Sequence, residues 1–499
     1  MTVESVRDVR LRTRRHGVVV GERVRFPRFD DHTAMLTADS FLGLKFGNAE
    51  RRFAKPTPFV GPYAKSGAEF QAKTAAVSCM QAPDTTFDHE GVRMWNAPND
   101  VREDCLELNV WRGVADGPMP VLVWIFGGGF FYGSPSLPVY DGRALAAYGG
   151  MVVVNINYRL GPLGFLNLDT EGAPGNVGLL DQQLALKWVH ENIADFGGDP
   201  SQITIAGESA GAASVALHLL NEKSSRYFRK AVMQSGSFDA PWALKTEVEG
   251  RENSEALAEL LQCKYPAPQR TLECLRSKNA SELLSKQWSV DVAVFNFPFV
   301  PISEDPNFFA DGNVDDKFIN GAFKNNTDVL IVINRDEGTF WNLYFTGVRF
   351  PYNSEQPPPA MTFEQFKTDV STTFPQQGMP YLHETLNQMV GREYFTCDSL
   401  RFAEKLARGR DNRVFVAHFA HLDTSRKYNP WPAWMGVMHG YEIPYVFNLP
   451  TVTSEYSTEE KRFSEFFSSY YRRFMGSGSH AETEASMPAQ LAAECAAWR

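Results

Sequence analysis

The run "ITIAGESAGAAS", Ile203 to Ser214, narrows the choice of architecture further than any other stretch of the chain. Ile203, Thr204 and Ile205 read as the end of a buried strand, and Ala210 to Leu220 as a helix. Between them Ser209 occupies the centre of a G-x-S-x-G pattern, Gly207 to Gly211. Small residues on both flanks let a strand turn sharply into a helix and present the serine oxygen above the sheet, as in a nucleophile elbow. The same glycines would suit a plain close-packed turn, so the serine needs chemical partners before it signifies catalysis. Glu208 sharpens the question, because a carboxylate beside a nucleophile opposes an anionic intermediate formed there.

Further strands and helices follow the same alternation. "PVLVWIFGGGFFYG" (Pro120 to Gly133) is an apolar strand running into a glycine turn, and "GGMVVVNINYRLG" (Gly149 to Gly161) is a β-branched strand. "LLDQQLALKWVHENIADFGG" (Leu179 to Gly198) has helical periodicity and ends on glycines. "DVLIVINRDEG" (Asp328 to Gly338) and "DNRVFVAHFAHL" (Asp411 to Leu422) read as two more strands. Strands alternating with helices predict an α/β sheet with reactive residues at its strand ends. At 499 residues and 43% hydrophobic content the chain can bury one large core. Residues 1–20 receive no element, and "GSGSHAETEAS" near the C-terminus reads as a loop.

An ester-cleaving serine needs a base, an acid that orients it, and N–H donors for the oxyanion. His439, in "WMGVMHGYEIPYVF", precedes a glycine, lies among aromatics and comes late in the chain. That position suits the order serine, acid, histidine. His218 falls on the helix leaving the elbow and would point away from Ser209; His190 falls mid-helix. Glu337 closes an apolar strand before Gly338, with neighbouring Asp336 as a rival that reads as a turn residue. Gly127, Gly128 and Gly129 offer N–H groups without side-chain obstruction, and Ala210 follows the serine. These read as oxyanion donors.

Composition excludes other classes. A formal charge of −10 argues against a nucleic-acid partner and favours attraction of cations at long range. No run approaches the length of a membrane span. None of the six cysteines forms C-x-x-C, which removes the simplest redox and zinc readings and leaves the disulfide pairing open. The charged N-terminus has no apolar leader core, so the compartment cannot be read there.

"EDCLELNVW", "VLVWIFGGGF", "GNVGLLDQQLALKWVHENI", "FGGDPSQITIAGESAGAASV", "INRDEGTF" and "WMGVMHGYEI" together resemble the type-B carboxylesterases, with the cholinesterase branch nearest. The likeness runs from about Phe41 to Phe474, with a weaker echo at Cys495. It implies an α/β-hydrolase fold: a large, mixed, mostly parallel sheet flanked by helices, with a deep aromatic-lined gorge. It also implies one domain over residues 1–499, ending in a shortened C-terminal segment at 475–499. The implied triad is Ser209, Glu337 and His439, with Gly128, Gly129 and Ala210 as oxyanion donors and neither metal nor organic cofactor. Disulfides Cys79–Cys105, Cys263–Cys274 and Cys397–Cys495 are implied too, hence an oxidising compartment and a secreted protein. Asn279 and Asn325 then become glycosylation candidates.

The same resemblance assigns a choline site. Trp95, in "VRMWNAPND", matches the tryptophan that holds choline in that branch; such a ring face attracts a desolvated cation by about 0.5–2 kcal/mol. Phe340 matches a second choline-site aromatic, and Tyr140, Tyr344 and Trp431 match residues lining the gorge. Trp341 adds bulk between the choline and acyl sides, and Asp84 matches an acid at the gorge mouth. Glu208 now has a role, since it favours a trimethylammonium and the imidazolium form of His439. Phe295 and Phe297, in "VFNFPFVP", stand where two phenylalanines narrow the acyl pocket toward acetyl. Phe131 and Ala82 replace tyrosines of the family pattern, which weakens any peripheral ligand site and leaves Trp288 as its survivor.

The expectation is a soluble monomer or weak homodimer that hydrolyses a choline ester, acetylcholine first. Two rivals remain: a broad carboxylesterase of neutral or xenobiotic esters, and a secreted scavenger or adhesion protein on the same fold. The complete triad weighs against pure adhesion.

Overall fold

An eleven-stranded sheet organises the computed structural model, which describes residues 5–65, 67–85, 88–293, 296–309, 312–347 and 383–476. In chain order its principal strands are β1 (Ser5–Thr13), β2 (Gly17–Pro27), β3 (Met35–Lys45), β4 (Glu107–Arg112), β5 (Met119–Ile125), β6 (Val152–Ile156), β7 (Gly198–Glu208), β8 (Lys230–Gln234), β9 (Asp328–Asn334) and β10 (Arg413–Phe419). Across the sheet they lie β1-β2-β3-β4-β6-β5-β7-β8-β9-β10, and Glu69–Gln71 pairs beside β2. From β6 to β10 all neighbours are parallel; from β1 to β6 they are antiparallel. Strands β6, β8 and β9 are buried at every residue, as expected where helices cover both faces of a parallel sheet.

The main helices are α1 (Val177–Asn192), α2 (Ala210–Leu219), α3 (Gly338–Gly347), α4 (His383–Gly391), α5 (Cys397–Leu406) and α6 (Thr458–Met475). The segment read as a helix from Leu179 to Gly198 is α1, a 3₁₀ turn at Ile193–Phe196, and then the start of β7. Residues 1–20, given no element from sequence, carry β1 and the beginning of β2. Their alternation of Arg with Val fits strands whose one face meets water.

The turn from β7 into α2 shows why its flanking residues are glycines. Ser209 has φ 58° and ψ −122°, a strained backbone for a non-glycine residue. A Cβ on Gly207 would lie 2.4 Å from the Gly211 carbonyl carbon, and one on Gly211 would lie 2.0 Å from the Ile125 carbonyl oxygen. Helix α2 therefore packs backbone to backbone against the ends of β5 and β7. Gly211→Ala is expected to cost about 3 kcal/mol or more, at the upper end of overpacking penalties, read as a lowered thermal midpoint. An unchanged midpoint would mean the close approach is not rigid.

Candidate active site

Ser209, Glu337 and His439 come from distant parts of the chain and meet at the strand ends of the parallel half. Ser209 follows β7, Glu337 follows β9 by three residues, and His439 lies in the loop before α6. All three are buried. Glu337 Oε1 accepts the Asn334 N–H at 2.8 Å, and its Oε2 lies 2.7 Å from His439 Nδ1. Asp336 serves the backbone instead: its Oδ2 accepts the Val437 N–H at 2.7 Å and so pins the segment leading to His439. His218 and His190 stand apart from this group. His218 bridges Ser224 and Gln182, and His190 is exposed.

The other imidazole nitrogen faces Glu208. Nε2 lies 3.1 Å from Glu208 Oε1, close enough for an ion pair, but among the described residues neither atom completes a well-aligned hydrogen bond. No hydrogen bond joins His439 to the Ser209 hydroxyl among the described residues, a looseness common in unliganded sites. Burial pushes the Glu208 carboxyl up to about 8, opposed by His439 and reinforced by Glu442 and Glu337. Burial disfavours the His439 cation, but Glu208, Glu337 and Glu442 outweigh it and raise the imidazole to about 9. Glu442, which sequence reasoning missed, is fully buried and accepts from Gln234 at 2.6 Å and Asn334 at 2.5 Å.

A cavity with about 440 Å³ of empty space opens over these groups. Trp95, Tyr140, Phe340 and Trp341 line it together with Gly128, Glu208, Ser209 and His439. A Cβ on Gly440 would lie 3.5 Å from Glu208 Oε1 and 3.7 Å from Trp95 Cζ2, so the indole edge and the carboxylate flank one point beside His439. Gly128 and Gly129 have φ of 104° and 56°, which glycine adopts without strain. A Cβ on Gly127 would meet Ser209 Cβ at 2.9 Å, which brings the glycine turn directly against the serine. Ala210 is fully buried at the first position of α2.

Other expected residues stand further back. Trp431 is buried, stacked on His89 at 4.4 Å and edge-on to Phe340 at 6.1 Å. Phe297 packs on Phe131 at 5.0 Å and Trp341 at 5.8 Å, and a Cβ on Gly129 would meet its ring at 3.0 Å. Asp84 is part-exposed; Asn96 clamps its backbone N–H and C=O at 2.7 and 2.9 Å. Trp288 is 51% exposed and meets Phe131 edge-on at 4.7 Å. Tyr344 belongs to α3, but its side chain, like Phe295 and Cys495, lies outside the described residues. The bonds Cys79–Cys105 and Cys263–Cys274 are present, and Cys397 is disulfide-bonded. Asn279 and Asn325 are exposed.

The signature of the carboxylesterase family matches residues 7–493. The chain belongs to that family, and it is a carboxylic ester hydrolase of the α/β-hydrolase fold. It is 38% identical over 448 residues to acetylcholinesterase 4 of Caenorhabditis briggsae, covering 82% of this chain and 73% of that protein. It is 37% identical over 482 residues to acetylcholinesterase of Bungarus fasciatus, covering 91% and 76%. Among the described residues no helix is long and apolar enough to cross a membrane.

Glu208→Gln removes the anion nearest Nε2, so the His439 titration midpoint is expected to fall from about 9 by about 1 pH unit or more, followed by imidazole NMR. A midpoint that stays put would show that Glu337 and Glu442 alone hold the proton.

Proposed function

We propose that the chain hydrolyses choline esters, acetylcholine foremost, through an acyl-enzyme on Ser209. The observation carrying this reading is the meeting of the Trp95 indole and the Glu208 carboxylate at Gly440, in the cavity that also holds Ser209. Both relatives' names support it. An electron-rich ring face suits a quaternary ammonium, which cannot donate a hydrogen bond and is bound through charge and polarisability, and a cation bound there favours the ionised form of the Glu208 carboxyl that burial otherwise disfavours. Phe340, Tyr140 and Trp431 complete the aromatic surroundings of a gorge, and Asp84 draws the cation inward.

In this reaction His439 takes the Ser209 hydroxyl proton as the oxygen attacks the acetyl carbonyl. Glu337 holds the imidazole by Nδ1 and stabilises its cation. The N–H groups of Gly128, Gly129 and Ala210 receive the oxyanion, each worth a few kcal/mol in comparable sites. His439 returns its proton to the departing choline oxygen, and water then repeats the attack on the acetyl-enzyme. The carboxylate beside the nucleophile costs something at the oxyanion. It offsets that cost by stabilising both the bound cation and the imidazolium formed in the same step.

Phe297, packed against Phe131 and Trp341 beside Gly129, narrows the acyl side, so discrimination against butyryl rests on steric overlap. The disulfides support an oxidising, extracellular setting, with Asn279 and Asn325 exposed for glycosylation in it.

Ser209→Ala is expected to abolish turnover while leaving the thermal midpoint within a few degrees of the parent. Trp95→Ala is expected to lower kcat/KM for acetylthiocholine by roughly tenfold or more and for its neutral carbon isostere by much less. Equal losses on both esters would leave a broad carboxylesterase as the better reading. Across acetyl-, propionyl- and butyrylthiocholine, kcat/KM is expected to fall stepwise; a flat or rising series would remove the acyl-pocket assignment.

A further inference from the structure

We infer that His89 is a positioning residue for Trp95, fixing the helical turn that carries it only while the His89 imidazole is neutral; this rests on the reading of Trp95 as the seat of the substrate's ammonium. Trp95 lies in the loop closed by the Cys79–Cys105 bond, two residues past a single helical turn, Glu90–Arg93. Its N–H donates to the Val92 carbonyl at 3.2 Å, and the Met94 N–H donates to the Glu90 carbonyl at 2.9 Å. The indole therefore hangs from the end of that turn. Val92, fully buried, fixes the middle. The beginning is fixed by His89, whose Nδ1 accepts the Gly91 N–H at 3.0 Å and whose carbonyl accepts from Val92 and Arg93 at 3.1 Å.

The same imidazole docks the turn onto the body of the protein. It stacks on Trp431 with centroids 4.4 Å apart and planes 23° apart. A Cβ on Gly91 would lie 2.2 Å from Trp431 Cε2, so the turn presses its backbone against that indole. His89 thus makes two attachments, and they answer differently to a proton. Stacking on Trp431 persists in either state, because an indole face also attracts an imidazolium. The cap does not persist: a protonated imidazole has a donor at each nitrogen, and Nδ1–H would then face the Gly91 N–H. Among the described residues the charged groups acting on the ring are Arg93 and Glu90, with Asp88 ion-paired to Arg93. Burial, reinforced by Arg93 and opposed by Glu90, holds the imidazole below the usual histidine range. It is therefore neutral at physiological pH and takes a proton only below about pH 6. The ring is part-exposed, so solvent reaches it. On protonation the turn loses the hydrogen bond at its start, and Trp95 loses its fixed place beside Glu208.

Calorimetric titration with acetylcholine tests the inference, using the Ser209→Ala chain as parent and the same chain carrying His89→Asn or His89→Phe, each at about pH 7.5 and about pH 5.5. Asparagine supplies a capping acceptor that does not titrate, and phenylalanine keeps a ring on Trp431 without the cap. Glu208 titrates in all three chains, so a difference between them belongs to residue 89. On acidification the parent is expected to lose roughly threefold more affinity than either variant, the scale of one lost helix cap. The phenylalanine chain is expected to bind roughly threefold more weakly than the parent already at the higher pH. An equal acid loss in all three chains would overturn the inference, as would a phenylalanine chain that matches the parent at the higher pH. A parent that binds acetylcholine no better than its uncharged isostere at the higher pH would instead overturn the proposed function, whatever the variants do.

Discussion

A single imidazole held among buried carboxylates is the interaction on which the rest of the site depends. Glu208, Glu337 and Glu442 are each at most 4% exposed, and a buried carboxylate without a counter-charge is costly. His439 answers two of them directly, through Nδ1 and Nε2, while Glu442 is satisfied by the amides of Gln234 and Asn334. The arrangement favours the imidazolium, the state that His439 reaches in the proposed reaction on taking the Ser209 proton. It also sets a limit, because a base held too readily as its cation is idle at neutral pH. Activity is therefore expected to rise with pH as the imidazole loses its proton.

The sheet makes this meeting possible. Parallel pairing of β7, β8 and β9 brings the residues after each strand to one edge, so segments more than a hundred residues apart share a site. Backbone contact does the rest. Gly207 and Gly211 let α2 press onto the strand ends, and the turn at Gly127 to Gly129 comes against Ser209 from the next strand. A Cβ on Gly127 would press on Ser209, and one on Gly207 or Gly211 would lift α2 off the strand ends.

Much of this was legible in the sequence because it rests on local pattern. Strand β6 announces itself as a β-branched run between glycines, β9 as an apolar run ending in a turn at Gly338, and the elbow by its serine spacing. Glu337 and His439 followed from strand ends and chain order. The N-terminal strands were not legible, since exposed charge between valines hides a half-buried strand. Nor was Glu442, two residues past Gly440 and apparent only once β8 and β9 lie beside it. Trp431 stacks on His89 and meets Phe340 edge-on, a placement set by tertiary packing and by no local pattern.

The central claim is that Trp95 and Glu208 grip a quaternary ammonium beside an acylatable serine. Calorimetric titration of the Ser209→Ala chain with acetylcholine and with its uncharged carbon isostere tests it most directly, because binding is then read without turnover. Acetylcholine binding at least roughly tenfold tighter than the isostere is the predicted result, the scale of one desolvated cation on an aromatic face. Equal affinities would contradict it.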